Sequence, residues 1–219
     1  MEMPSSHGGP VVTGLVADPR RAEVVRVLVD GRPYCAVPAT AAAAVGLRAG
    51  VALDSDLLDR LGTLADQEGA YRAVLRALER RSFAQAELGR RLVRKGHRPA
   101  AVEHALERAQ AVGLIDDAAF ARSFVETRSA RGRGPARLLR DLLAMGVERR
   151  LIDAAISAHW DEGSDRQAMP RALVTRRARQ LGQLPREAKR RRLLAFLARR
   201  GFTGPAARDL VREALMADD

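Results

Sequence analysis

The spacing of apolar positions changes once along the chain. Across residues 11–37, β-branched residues gather in short runs such as EVVRVLVD at 23–30, and Asp30-Gly31 follows as a hairpin turn signal. A small hairpin of two or three strands is predicted. Residues 38–46 and 54–66 carry Ala-rich and Leu-rich helical faces on either side of a glycine-bounded turn at 46–50, which predicts two short helices. A hairpin alone is marginal in water, so this N-terminal region must pack on those helices or on its neighbour. From residue 71 onward no strand pattern recurs, and apolar residues return at three and four.

Three glycines bring that helical pattern into register. With Gly96, Gly146 and Gly201 as anchors, the eighth residue upstream is Leu88, Leu138 and Leu193, and the fourth is Leu92, Leu142 and Leu197. The sixth and tenth residues downstream are Val102 and Leu106, Ile152 and Ile156, then Ala207 and Val211. Each glycine therefore falls between two amphipathic helices, where a left-handed C-terminal cap costs glycine little. A preceding helix completes each unit, at 71–81, 117–128 and 169–181. Ser82 with Gln85 has the spacing of a capping box, and Asp116 or Asp117 can cap the first helix of the second unit. Pro99, Pro135, Pro185 and Pro205 suit first helical positions.

The predicted fold class is mainly α: tandem three-helix repeats in an elongated stack, with a small N-terminal region containing a β-hairpin. The expected divisions are a mobile tail at 1–10, the hairpin with short helices at 11–70, and repeats at 71–113, 114–163 and 164–219.

At 219 residues and 47% hydrophobic content, the chain is long enough for one or two domains with buried cores. No window approaches eighteen consecutive apolar residues, and the N-terminus lacks a charged region leading into an apolar one, so a cytoplasmic protein is expected. Cys35, the single cysteine, cannot form an internal disulfide, and the four histidines are dispersed. No cofactor is implied.

The net charge of +11 is uneven. Basic against acidic residues number 6 to 9 in 1–70, 18 to 10 in 71–160 and 14 to 8 in 161–219, giving −3, +8 and +6. The last two-thirds thus favour an acidic or polyanionic partner. Arg90, Arg91, Arg94 and Lys95 form one cluster, Arg128, Arg131, Arg133, Arg137 and Arg140 a second, and Lys189, Arg190, Arg191 and Arg192 a third. All lie beside a Leu-bearing second helix. Contacts spaced along a rigid body add through effective concentration, which suits a long or repetitive partner.

Catalytic signatures are absent. The G-R-G-P-A-R run at 132–137 lacks the third glycine and the preceding strand of a dinucleotide fingerprint, and there is no P-loop. Asp116 and Asp117 are adjacent, which on a helix turns them apart and suits capping. His97, His104 and His159 have no sequence-local nucleophile or ligand partner. Phe83, Phe120, Phe124, Trp160 and Phe196 lie on apolar stripes, and 4% aromatic content leaves few residues for base stacking. A helix-turn-helix-like transcription factor that binds duplex DNA is the alternative. Glu103, Glu107 and Arg108, and Glu148, Arg149, Arg150 and Asp153, are expected on the exposed faces of the third helices, where carboxylates oppose the phosphate wall of a groove.

Several of these stretches resemble the RecX regulatory proteins, modulators of the RecA recombinase. The resemblance is carried by G-L-I-D-D-A-A-F-A at 113–121, by Arg128 with R-G-R-G-P-A-R at 131–137, and by L-x-x-x-G-V at 142–147 followed by a short acid/base helix. The Ala86-Glu87-Leu88 and Leu92 spacing and the V-D-G turn are similar to the family as well. The resemblance runs from about residue 12 to 216, is strongest over 71–160 and weakens in the third repeat. It implies a helical array that lodges in the groove of the RecA nucleoprotein filament and limits filament growth, ATP turnover and strand exchange. On that basis Arg131, Arg133 and Arg137 are expected to meet acidic RecA surface or DNA phosphates. Arg90, Arg91 and Arg94 would extend the footprint, with Arg128, Arg140, Arg190 and Arg191 as further candidates. The expected partners are RecA and its filament, and single- or double-stranded DNA held weakly and without sequence preference. No membrane contact is expected, and the chain is expected to be a monomer.

Overall fold

The structure, a computed structural model, describes residues 9–161 and 168–217; the tail expected at 1–10 falls almost wholly outside them. Chain contacts define two compact units. Among the described residues one comprises 9–82 with 88–115, the other 83–87 with 116–161 and 168–217.

In the first unit three antiparallel strands, β1 (Val12–Asp18), β2 (Arg21–Val29) and β3 (Arg32–Pro38), form a meander in that order. Asp30 and Gly31 both take positive φ, 48° and 78°, so the β2–β3 turn has the mirror-image geometry that matches strand twist. Val12, Val27, Val29 and Val37 line the inner face, and they pack with Ala42, Leu47, Leu53 and Leu61. These last residues come from α1 (Ala39–Ala44), α2 (Ser55–Leu78) and the segment between them. The hairpin thus gains the helical cover that a bare sheet needs.

The two helices expected at 54–66 and 71–81 are one 24-residue helix, α2. Its start follows the ordinary rule: Asp54 accepts the Leu57 N–H at 2.8 Å. Nothing in Gln67-Glu68-Gly69-Ala70 breaks the ladder, because a lone glycine costs a helix only about 1 kcal/mol. One element therefore serves both the sheet and the first repeat, where it packs on α4 (Pro99–Ala111). Between them in sequence lies α3 (Gln85–Arg94), which buries Leu88 and Leu92. A Cβ on its Gly89 would stand 3.1 Å from Leu106, so the glycine allows close approach to α4.

The second unit holds α5 (Asp117–Ser129), α6 (Pro135–Met145), α7 (Arg149–Asp161), α8 (Ala168–Gln180), α9 (Arg186–Arg200) and α10 (Pro205–Met216). Within it α5, α6 and α7 pack on one another, as do α8, α9 and α10. The repeat leucines Leu138, Leu142, Leu193 and Leu197 are completely buried. All three anchor glycines close their helices in the same way. The N–H groups of Gly96, Gly146 and Gly201 bond the carbonyls of Val93, Leu143 and Ala198, and those of His97, Val147 and Phe202 reach Leu92, Leu142 and Leu197. That is the Schellman pattern, with φ of 94°, 89° and 92° at the glycines.

Two caps differ from expectation. Helix α3 begins at Gln85, past Ser82, and the Gln85 N–H donates to Asp117 Oδ1 at 2.8 Å. Asp116 caps α5 by accepting the Ala119 N–H at 2.9 Å, so the adjacent carboxylates serve two different helices. Pro99, Pro135 and Pro205 open their helices, whereas Pro185 is the N-cap of α9, one place earlier than expected.

Candidate functional site

The Arg/Gly segment between α5 and α6 is a structured turn. Gly132, at φ 79°, donates to the Ser129 carbonyl, and Arg133 donates to that of Arg128. The chain then enters α6 through Gly134, whose N–H bonds the Arg200 carbonyl at 2.7 Å, while the Ala136 N–H bonds Gly201 O at 3.1 Å. The open amides at the start of α6 are thereby satisfied by open carbonyls at the end of α9, and the two helix dipoles meet head to tail. An anion-binding cradle has no free amides here, in keeping with the missing glycine of the fingerprint.

Two glycines make this junction sterically accessible. A Cβ on Gly134 would lie 2.7 Å from the Gly201 carbonyl carbon and oxygen, and one on Gly201 would lie 2.3 Å from the Arg137 nitrogen. Arg200 joins the turn as well, donating to the Gly132 carbonyl at 3.5 Å while its guanidinium lies 4.8 Å from the Phe196 ring centre. Beside the junction Pro135, Trp160, Pro170, Phe202 and Leu210 help line a hollow of about 400 Å³, with no titratable side chain among the described residues that line it.

The five hinge-region arginines have distinct environments. Arg133 donates to Asp141 Oδ2 at 2.5 Å, and Arg137 pairs through Nε with Oδ1 of the same carboxylate at 2.9 Å. The half-buried Arg128 has its guanidinium 5.4 Å from the centre of the Phe124 ring. Arg140 is exposed and donates from Nε to the Ala136 carbonyl at 3.3 Å. The exposed side chain of Arg131 has no ion-pair partner among the described residues.

Arg90, Arg91, Arg94 and Lys95 are exposed in and just after α3. On α9, Arg190 pairs with Glu187 at 3.4 Å, while Arg191 and Arg192 are exposed and Lys189 is half-buried. Arg176 and Arg179, one turn apart and exposed on α8, were not among the sequence candidates. Arg200 escaped the sequence reading because its partner lies 68 residues away.

On the third helices Glu103, Glu107, Glu148, Arg149, Arg150 and Asp153 are exposed as expected, but the arginines are paired. Arg149 bonds Asp153 at 2.8 and 2.9 Å, and Arg150 pairs with Glu148 at 2.7 Å. Arg108, expected to be exposed, is half-buried: it donates to Glu68 at 3.1 Å, and its guanidinium lies 3.8 Å over the Tyr71 ring. A recognition helix whose arginines are already held by carboxylates is poorly suited to a groove lined with phosphate.

Two groups have perturbed acidity. Burial pushes the Cys35 thiol up to about 11. The Arg20 N–H holds the Asp18 carboxyl below its ordinary value, with Arg21 adding to the effect. Among the described residues no group of three or more His, Cys, Asp or Glu could hold a metal ion, and no helix is long and apolar enough to cross a membrane.

Comparison with known proteins agrees with this architecture. A family model described as the second three-helix domain of RecX matches residues 116–156, which contain α5, α6 and most of α7. A solved structure titled regulatory protein RecX has a TM-score of 0.76 and covers 93% of this chain and 99% of its own, at 20% identity, a likeness of fold. The regulatory protein RecX of Streptomyces coelicolor is 44% identical over 117 residues, 52% of this chain and 61% of that protein. That of Halorhodospira halophila is 39% identical over 159 residues, 71% of this chain and 91% of the relative. With that identity across nearly all of a relative, and with the repeat architecture above, the chain belongs to the RecX regulatory protein family.

Proposed function

We propose that the chain is a non-catalytic regulator that binds the RecA recombinase and its nucleoprotein filament and restrains filament growth, ATP turnover and strand exchange in recombination, DNA repair and the SOS response. The observation that carries this reading is a recurrent one. Exposed arginines stand on or beside the second helices of all three repeats, at Arg90, Arg91 and Arg94, at Arg131 and Arg140, and at Arg191 and Arg192. Membership of a regulatory family points the same way. Repeated weak contacts favour a partner that itself repeats. Bare DNA is a weaker, non-specific ligand of the same basic face.

The test is RecA's DNA-dependent ATPase titrated with the chain. Arg131→Glu leaves the Asp141 pairs in place, and it should raise the half-inhibitory concentration roughly tenfold. Reversing Arg131, Arg133 and Arg137 together should abolish inhibition while far-UV circular dichroism stays unchanged. Full inhibition by a folded triple variant would remove these residues from the interface. Enrichment of one duplex sequence from random DNA would favour the transcription-factor reading instead.

A further inference from the structure

With the anchor glycines in register, the residues six and three places before each are Arg90 and Val93, Arg140 and Leu143, and Ala195 and Ala198. Positions three apart are neighbours on a helix surface. The places eight and four before the glycine are the buried leucines, so these pairs fall on the opposite, solvent side. Val93 is 43% exposed and Leu143 44%, beside exposed Arg90 and Arg140. Thus α3 and α6 each set an aliphatic side chain next to an arginine, at the same register, facing water. Helix α9 has alanine in both places and carries its arginines elsewhere, Arg191 and Arg192 among them.

The aliphatic member decides what kind of ligand such a face suits. A phosphodiester backbone rewards guanidinium groups but offers nothing to a leucine. An arginine beside an aliphatic side chain has the composition of a protein interface, where arginine is enriched at the energetic centre and an apolar group fills a hollow. One exposed valine or leucine would carry no information, since isolated apolar residues are ordinary on surfaces. Its recurrence at one register, beside an arginine each time, does carry information. The charge is complementary to an acidic surface: Arg94 and Arg140 are exposed and have no carboxylate partner among the described residues.

We propose that the solvent faces of α3 and α6, centred on Arg90 with Val93 and on Arg140 with Leu143, are two equivalent docking sites for a protein surface. That surface bears a carboxylate beside a shallow apolar hollow and repeats along a polymer. The proposal rests on the filament reading and narrows it. At these two helices the partner is protein, and the third repeat docks by other means.

The experiment separates charge from apolar contact. Val93→Ala and Leu143→Ala keep every charge and improve helix propensity, so they leave the fold in place. Binding of each variant and of the double variant is measured by fluorescence anisotropy against RecA assembled on single-stranded DNA, and against bare single-stranded DNA. Sedimentation is run alongside. The double variant should lose filament affinity by roughly a hundredfold and each single variant by about tenfold, with bare-DNA affinity unchanged within about twofold. Unchanged filament binding by the double variant would overturn the proposal while leaving the filament reading intact. An equal loss on both ligands would also overturn it, as would a concentration-dependent dimer that the substitutions abolish. Failure of the unsubstituted chain to bind filaments would overturn both readings together.

Discussion

Asp141 governs two of the three arginines most exposed to functional interpretation. It holds Arg133 and Arg137 by one oxygen each, so the hinge presents Arg131 to solvent with two partly neutralised neighbours. Asp141→Asn should therefore lower stability by about 1 kcal/mol in urea unfolding and at the same time tighten binding to bare DNA. Glu68 is the corresponding residue in the first unit. Only 2% exposed, it takes Arg21 from the sheet and Arg108 from α4 on separate oxygens. Glu68→Gln removes the charge that both guanidiniums face, and should cost about 3 kcal/mol in the same assay. Cys35 gives a pH prediction. Its folded-state value lies above the ordinary thiol value of 9.0, so the fold favours the neutral thiol. Its contribution is complete below pH 9 and is lost as pH rises toward 11. Alkylation at pH 8 should be slow when folded and fast in denaturant.

Helix ends separate what local pattern reveals from what it conceals. The leucines at eight and four before each glycine were legible because a helix writes its buried face at intervals of three and four, and the Schellman glycines because left-handed φ narrows the choice of residue. Three features were not legible. The length of α2 was hidden because its Gly69 resembles a boundary yet only weakens a helix. The cap of α3 comes from Asp117, 32 residues on, while a plausible local box at Ser82 and Gln85 goes unused. The role of the glycines before α6 was hidden because its cause is distant in sequence: Gly134 is needed for contact with Gly201. Arginine clusters were visible by density alone, and density does not reveal which guanidiniums Asp141 already holds. The glycines supply an internal comparison. A Cβ at Gly96 meets nothing within 4 Å, so Gly96→Ala should cost only the left-handed penalty, about 1–2 kcal/mol. Gly201→Ala adds a clash with the Arg137 backbone and should exceed about 3 kcal/mol. Equal losses for the two variants in urea melts would contradict the head-to-tail junction.

For the whole molecule, the charge of +11 makes ionic strength the natural variable. Binding to bare DNA should weaken steeply as salt rises, since each released counterion adds to the log-log slope. Binding to RecA-coated DNA should show a shallower slope if part of the interface is protein, as proposed for α3 and α6. The junction of α6 with α9 also has a consequence for the order in which the chain is made. The amides of Gly134 and Ala136 wait for carbonyls on Arg200 and Gly201. At ribosomal speeds of about 5–20 residues per second, that interval lasts several seconds. Until then the second repeat is a set of emerged helices whose central element lacks its native protein acceptors. Its native packing is completed only after α9 has been made, so maturation of the middle repeat is tied to synthesis of the third.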